Sequence, residues 1–316
     1  MYNTILVPLD GSEISEQAIP VAAAIAKPLN ATLVLAQAVY MATLPGVTLS
    51  DAQVTSMDEV ELYLKTKAAP LIEAGLTVEV GVPYAPPVEG ILDEINLRNA
   101  DLVVMTTHGR SGLGRLVYGS VAEAVLHHSP VPVLLIRAGV KDALVPLSQP
   151  RPAFLVPLDG SSFAEEALPH AMAFAQAFHG ELALMHVYEP PILTEEDIIT
   201  HTDKVGRQLT QEQQEIEDYI AGLAHNMRQM GLTVRTDLRS GDIVQSILEE
   251  EYSADAALVI MATHGRTGLR RALFGSVAMD VLRRGGLPML LIRPAEFVVK
   301  RTPAEADEPE GVAFAG

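Results

Sequence analysis

Cysteine is absent from all 316 residues, which excludes a disulfide framework, a thiolate metal site and a cysteine nucleophile. Tryptophan is absent too and aromatics make up only 5%, so a core has to be assembled from Val, Leu, Ile, Ala and Met. That material is plentiful: 48% of residues are hydrophobic and 20% charged, a balance that suits a folded chain. No apolar run approaches the roughly 18 residues of a membrane span. The opening MYNTILVPLDG has no basic segment leading into an apolar one, so it does not read as a secretory signal and the expectation is a cytoplasmic protein. Positive charge is scarce. With 22 Lys and Arg against 40 Asp and Glu the net charge is −18, a field that repels phosphate backbones and anionic lipid, so neither nucleic acid nor membrane is expected as a partner. Familiar catalytic and nucleotide signatures are missing as well. There is no G-x-x-x-x-G-K-[ST], no G-x-G-x-x-G after a first strand, and no G-x-S-x-G elbow around which Ser12, Asp10 and His108 could work as a hydrolase.

What the chain does have is itself, twice. LVPLDGS stands at residues 6–12 and again at 155–161, and Leu102–Arg137 matches Leu258–Arg293 at 21 of 36 ungapped positions. The duplication divides the chain into a first domain at 1–140, a proline-marked linker at 141–152, a second domain at 153–298 and an acidic tail at 299–316 expected to be disordered. Thr4–Leu9 and Ala153–Leu158 are short continuous apolar runs, the pattern of strands buried on both faces. Each leads into Asp-Gly-Ser, a turn with capping side chains, and then into apolar residues at helical spacing: Ala18, Val21, Ala22 and Ile25 in one half, Ala167, Ala171, Phe174 and Phe178 in the other. Further strands are expected at 31–39, 77–82, 102–106 and 133–137, and at 181–187, 233–238, 258–262 and 289–293, with helices near 59–74 and 211–230. Alternating strands and helices give a parallel sheet covered on both faces, with ligands expected beyond the carboxyl ends of its strands.

Two features fall at those ends: the Asp-Gly-Ser turn, and a glycine loop after the fourth strand. The loop reads His108-Gly109-Arg110-Ser111-Gly112 and then Gly119-Ser120-Val121, repeated as His264-Gly265-Arg266-Thr267-Gly268 and Gly275-Ser276-Val277. Glycines let backbone approach a ligand closely, and the N–H groups that open a helix attract phosphate. A purely local role, with glycines forming tight turns and serines capping helices, fits the same residues. Arg110, Arg115, Arg266 and Arg271 are available cations. His127 and His128 suit the negative end of a helix, and His170, His179, His201 and His225 show no paired metal-ligand spacing.

The glycine spacing, the opening ILVPLDGS and the closing LLIR strand together resemble the universal stress protein family over nearly both repeats. The resemblance implies two flavodoxin-like, adenine nucleotide alpha hydrolase-like α/β domains, each with a five-stranded parallel sheet and helices on both faces. It also implies binding of ATP, or of ADP or AMP, with Mg²⁺ as the accompanying cation, in a regulatory module with at most slow hydrolysis. Gly109, Gly112, Gly119, Ser120 and Val121 would hold phosphates and ribose beside Arg110 and the strand end Met105–Thr106. Pro8, Leu9, Asp10 and Ala38 would address the base. In the second repeat the matching positions are Pro157, Leu158, Asp159, Val187, Met261, Ala262, Gly265, Arg266, Gly268, Gly275, Ser276 and Val277. Thr106 and Ala262 depart from the family's first glycine, which leaves a degenerate interaction protein as the alternative. The second repeat keeps Gly241-Asp242 after its third strand where the first has PYAPP, so it is the closer match. The last strands, 133–137 and 289–293, are expected to pair within the chain as a pseudo-dimer, and whole chains to form a homodimer.

Overall fold

The computed structural model describes residues 1–40, 51–107, 119–139, 146–188, 195–253, 256–264 and 275–297. The first repeat runs β1 (Thr4–Pro8), α1 (Glu13–Glu16), α2 (Ala18–Leu29), β2 (Thr32–Ala36), α3 (Asp51–Glu73), β3 (Val78–Gly81), α4 (Pro87–Leu97), β4 (Leu102–Thr106), α5 (Ser120–His128) and β5 (Val133–Ile136). The second repeats the order as β6 (Ala153–Leu158), α6 (Ser162–Glu165), α7 (Leu168–Phe178), β7 (Glu181–Tyr188), α8 (Glu195–Gln229), β8 (Thr233–Ser240), α9 (Ile243–Ser253), β9 (Ala256–Ala262), α10 (Ser276–Arg284) and β10 (Met289–Ile292).

Every residue of β4 and β9 is buried, which is why the sequence there is Leu, Val, Ile, Met and Ala, with Thr106 alone polar at the end of β4, rather than alternating. The Asp-Gly-Ser turns work by local chemistry. Gly11 and Gly160 sit at φ 79°, where a Cβ would be strained. Asp10 Oδ1 accepts from the Ser12 N–H at 3.0 Å and the Ser12 hydroxyl at 2.6 Å, and Ser12 Oγ in turn caps α1 by accepting from the Ser15 N–H at 3.2 Å. Asp159 and Ser161 reproduce the arrangement at 2.9, 2.6 and 3.2 Å. The helices then stop where Asn30 and His179 adopt φ 50° and 49°.

All ten strands form one sheet in the order β3-β2-β1-β4-β5-β10-β9-β6-β7-β8. Pairing within each repeat is parallel, and the chain leaves β1 for β2 and β3 before returning to β4 on the other side. The switch point therefore lies between β1 and β4, and between β6 and β9 in the second repeat. The two halves join where β5 and β10 run antiparallel, with Leu134 opposite Leu290. The arginines that close each LLIR strand fasten this seam. Arg137 Nη1 donates to the Gly285 carbonyl at 3.0 Å, and Arg293 donates to the His127 carbonyl. Both carbonyls lie at helix C-termini, where a cation meets the negative end of the dipole.

One face of the sheet is covered by α2, α3, α7 and α8, in a core that runs without interruption from Ile25 and Leu64 to Phe174 and Ile220. The opposite face carries α4, α5, α9 and α10 over Val34, Val103, Met185 and Val259. Tyr2 crosses between the repeats. Its hydroxyl meets His170 Nδ1 at 2.6 Å and its ring packs edge-on against Phe174. Burial lowers the pKa of His170 to about 4 and, with the Asp101 charge, raises that of Tyr2.

Several boundaries differ from the sequence expectation. β2 ends at Ala36, and beyond it Val39 makes only an isolated bridge to Tyr84. α8 begins at Glu195, well before the apolar periodicity does. Part of the stretch read as a linker is built into the fold: Pro146–Ser148 is a 3₁₀ turn, and Leu147 is buried in the shared core. The acidic tail lies outside the described residues.

Candidate functional site

A cavity of about 320 Å³ opens at the first repeat's switch point. Its lining comes from the ends of β1 and β4 (Pro8, Leu9, Asp10; Met105, Thr106, Thr107), the residues after β2 (Gln37, Ala38), and the start of α5 (Gly119, Ser120, Val121, Ala122). The structure thus brings together Pro8, Leu9, Asp10, Ala38, Met105, Thr106, Gly119, Ser120 and Val121. Gly109, Arg110 and Gly112, with Gly265, Arg266 and Gly268, lie outside the described residues, as do Arg115, Arg271 and His108.

The α5 end is polar. Gly119 is the N-cap, with extended backbone and no side chain to close over the helix, so the first turn is not capped from within. Ser120 is the first helical residue rather than the cap, and Gly275 and Ser276 stand in the same relation to α10. The glycine has a local reason too. The Gly119 N–H donates to the Thr107 carbonyl at 2.7 Å, as Gly275 does to Thr263 at 2.6 Å. A Cβ at Gly275 would stand 3.1 Å from that Thr263 oxygen. The glycine N–H is therefore engaged with its own strand. What remains for an anion at this end is the first turn of α5 behind it.

The opposite end is apolar, walled by Ala38, Pro83, Pro87, Gly90 and Ile91. Sequence reasoning found only Ala38 of these. Pro83 follows β3, and Gly90 sits inside α4 where an added Cβ would come within 3.1 Å of both Ala38 and Pro83. A glycine within an amphipathic helix, next to its apolar Ile91 and Leu92, is the signal that marks this close approach. The polar edge consists of Asp10, Ser15 and Gln37, and Gln37 Oε1 is buried without a hydrogen-bond partner among the described residues. The Leu9 N–H donates to Ala36 O at 2.7 Å, so it holds β1 to β2 and is not available to a ligand. Asp10 is both turn former and cavity wall.

In the second repeat, Pro157 pairs with Met185 as Pro8 does with Ala36, which sets Val187 where the first repeat has Ala38. Leu158, Val187, Met261, Ala262, Gly275 and Val277 occupy the corresponding strand ends and helix start, and Asp159 the turn. Gly241 and Asp242, which made this half the closer match, have local duties. Gly241 adopts φ 125°, and Asp242 Oδ1 accepts from the Gln245 N–H at 2.6 Å at the start of α9. Among the described residues no helix is long and apolar enough to cross a membrane, and no group of three or more His, Asp or Glu gathers as for a metal.

Comparison with known proteins agrees with this architecture. The model of the "Universal stress protein family" matches residues 1–137 and again 152–293. A universal stress protein of Mycolicibacterium smegmatis is 28% identical over 230 residues, 70% of each chain. One from Mycobacterium tuberculosis is 29% identical over 226 residues, 69% of this chain and 70% of that one. Among solved structures, a universal stress protein from Archaeoglobus fulgidus superposes with a TM-score of 0.64 at 24% identity, over 92% of this chain and 96% of the other, a likeness of fold. With two full family matches laid on two halves of one sheet, the chain belongs to the universal stress protein family.

Proposed function

We propose that the chain is a regulatory binding module for an adenine nucleotide, ATP or its smaller relatives ADP and AMP, seated in the first repeat's strand-end cavity. The observation that carries this reading is the cavity's polarity. One end is an uncapped helix start suited to phosphate, and the other is a narrow apolar slot of Ala38, Pro83, Pro87 and Ile91 suited to a flat base. A volume of about 320 Å³ falls at the lower edge of the roughly 300–1,000 Å³ usual for small-molecule sites. The net charge of −18 opposes a polyphosphate, so Mg²⁺ would enter with it, held chiefly by the phosphates and reducing their charge. Hydrolysis would be slow. Asp10 is the one carboxylate among the described lining residues, and its Oδ1 is already engaged by Ser12, which leaves no evident base to orient water.

A cysteine-free chain suits the cytoplasm, and its acidity disfavours nucleic acid. Because β5 and β10 already pair inside the chain, a homodimer of whole chains would have to use another surface. The test is calorimetry with Mg·ATP, together with mass spectrometry of nucleotide carried through purification. The expected result is saturable binding that Ala38→Phe removes by filling the slot, with the variant's melting temperature showing that it still folds. No heat at millimolar ATP and no co-purified nucleotide would leave the degenerate interaction protein as the reading.

A further inference from the structure

The two repeats share strand order and turn chemistry, yet the space at the base end differs between them. The registers Pro8–Ala36–Gly81 and Pro157–Met185–Asp237 fix the correspondence, so that Ala38, Pro83, Pro87 and Gly90 are replaced by Val187, Arg239, Ile243 and Ser246. Each replacement is larger. At Gly90 an added methyl would stand only 3.1 Å from both Ala38 and Pro83, whereas the second repeat places a hydroxymethyl there and buries it, with Ser246 only 7% exposed. Leaving out the Arg239 guanidinium, the four replacements add five side-chain heavy atoms: two at Val187, one at Ile243 and two at Ser246.

Arg239 is also held in place. Its Nε lies 2.7 Å from Asp237 Oδ2, its Nη1 donates to the Ser246 carbonyl at 3.3 Å, and its Nη2 is bonded to Glu250, a carboxylate only 3% exposed. Arg235 Nη1 meets the other oxygen of Glu250 at 2.6 Å. A buried carboxylate bound by two guanidiniums is costly to disrupt, because withdrawing Arg239 would break its charge-assisted bonds to Glu250 and Asp237 and leave Arg235 alone against the buried carboxylate. In the first repeat the matching carboxylate, Glu94, is held instead by Arg98 from its own helix, and the slot stays clear.

From this the geometry points to one nucleotide per chain: the first repeat takes the base, and the larger side chains at the matching positions of the second, with Arg239 held in place, fill its counterpart. The inference rests on the nucleotide-binding reading above, and the experiment separates the two. Calorimetric titration of the full chain with Mg·ATP is expected to give one site, with Ala38→Phe reducing binding at least 100-fold. Hydrogen exchange with and without Mg·ATP is expected to show protection in α4 and at the start of α5 but not in α9 or α10; it needs no variant and decides the matter even where Ala38→Phe fails to fold. Two sites, ATP binding that survives in a folded Ala38→Phe chain, or protection in α9 and α10 overturns the inference. No binding at all overturns the nucleotide reading and takes this inference with it.

Discussion

Glu251 offers a direct test of how burial acts on charge in this fold. It stands in α9 at 6% exposure, where the first repeat's matching residue is Ile95 at 1%. Its Oε2 accepts from the Gly286 N–H at 3.0 Å, bridging to the turn between α10 and β10. Gly285 has to be glycine beside it, since a Cβ there would come within 2.7 Å of the Val281 carbonyl oxygen, besides 2.6 Å of Glu251 Oε1. Burial raises the carboxyl pKa to about 7, against the lowering effect of the Gly286 and Leu287 N–H groups. The folded state therefore keeps a proton between pH 4.5 and 7 that the unfolded chain has released. The associated stability is full below about pH 4.5 and is lost as the pH rises through about 7. At about 1.4 kcal/mol per pH unit the ceiling is about 3 kcal/mol. Glu251→Gln keeps the shape and an acceptor for Gly286 but cannot ionise. In urea unfolding it is expected to match the parent near pH 4.5 and to exceed it by about 2–3 kcal/mol at pH 8. An advantage of the same size at both pH values would refute the assignment.

His170 bears the opposite sign. With its pKa lowered to about 4, the neutral ring is the folded form, so its contribution is lost as pH falls from about 6.5 towards 4. Solvent reaching the half-buried ring leaves an effect of about 1–2 kcal/mol, and His170→Phe should flatten that limb of the acid unfolding curve. Ser12→Ala and Ser161→Ala each remove a helix cap and a bond to the turn aspartate. Each is expected to cost about 1–2 kcal/mol in thermal or urea unfolding, and to add in the double variant because the turns lie in different repeats.

The strands of the core were legible in the sequence because they are buried on both faces, where only apolar residues are tolerated: 102–106 and 153–158 were read at their observed bounds. The elements misjudged are those whose limits are not apolar. α8 extends back to Glu195 through a stretch dominated by polar and charged residues, so periodicity marked only its packed C-terminal half, where Ile220, Ala224 and Met227 are buried. At the candidate site, Asp10 and Gly119 announce themselves through turn chemistry and spacing, while Ala38 is reached only through the family resemblance. Pro83, Pro87 and Ile91 do not, because nothing local distinguishes them; only the packing of α4 across the strand ends gives them a shared wall. The preference for the second repeat's site had the same origin. Gly241-Asp242 and the larger Val187 are visible in the sequence, whereas the placement of Arg239 and Ser246 matters only once α9 is laid against β8.

The antiparallel seam at Leu134 and Leu290 has a directional consequence. Since strands within each half are parallel, the carboxyl ends of one half point towards one rim of the ten-stranded sheet and those of the other half towards the opposite rim. A small molecule at one rim cannot reach the other, and a protein that docks over the first leaves the second exposed. The duplicated chain is thus two-headed, with the carboxyl ends of its two halves turned away from each other across one continuous sheet and a shared core.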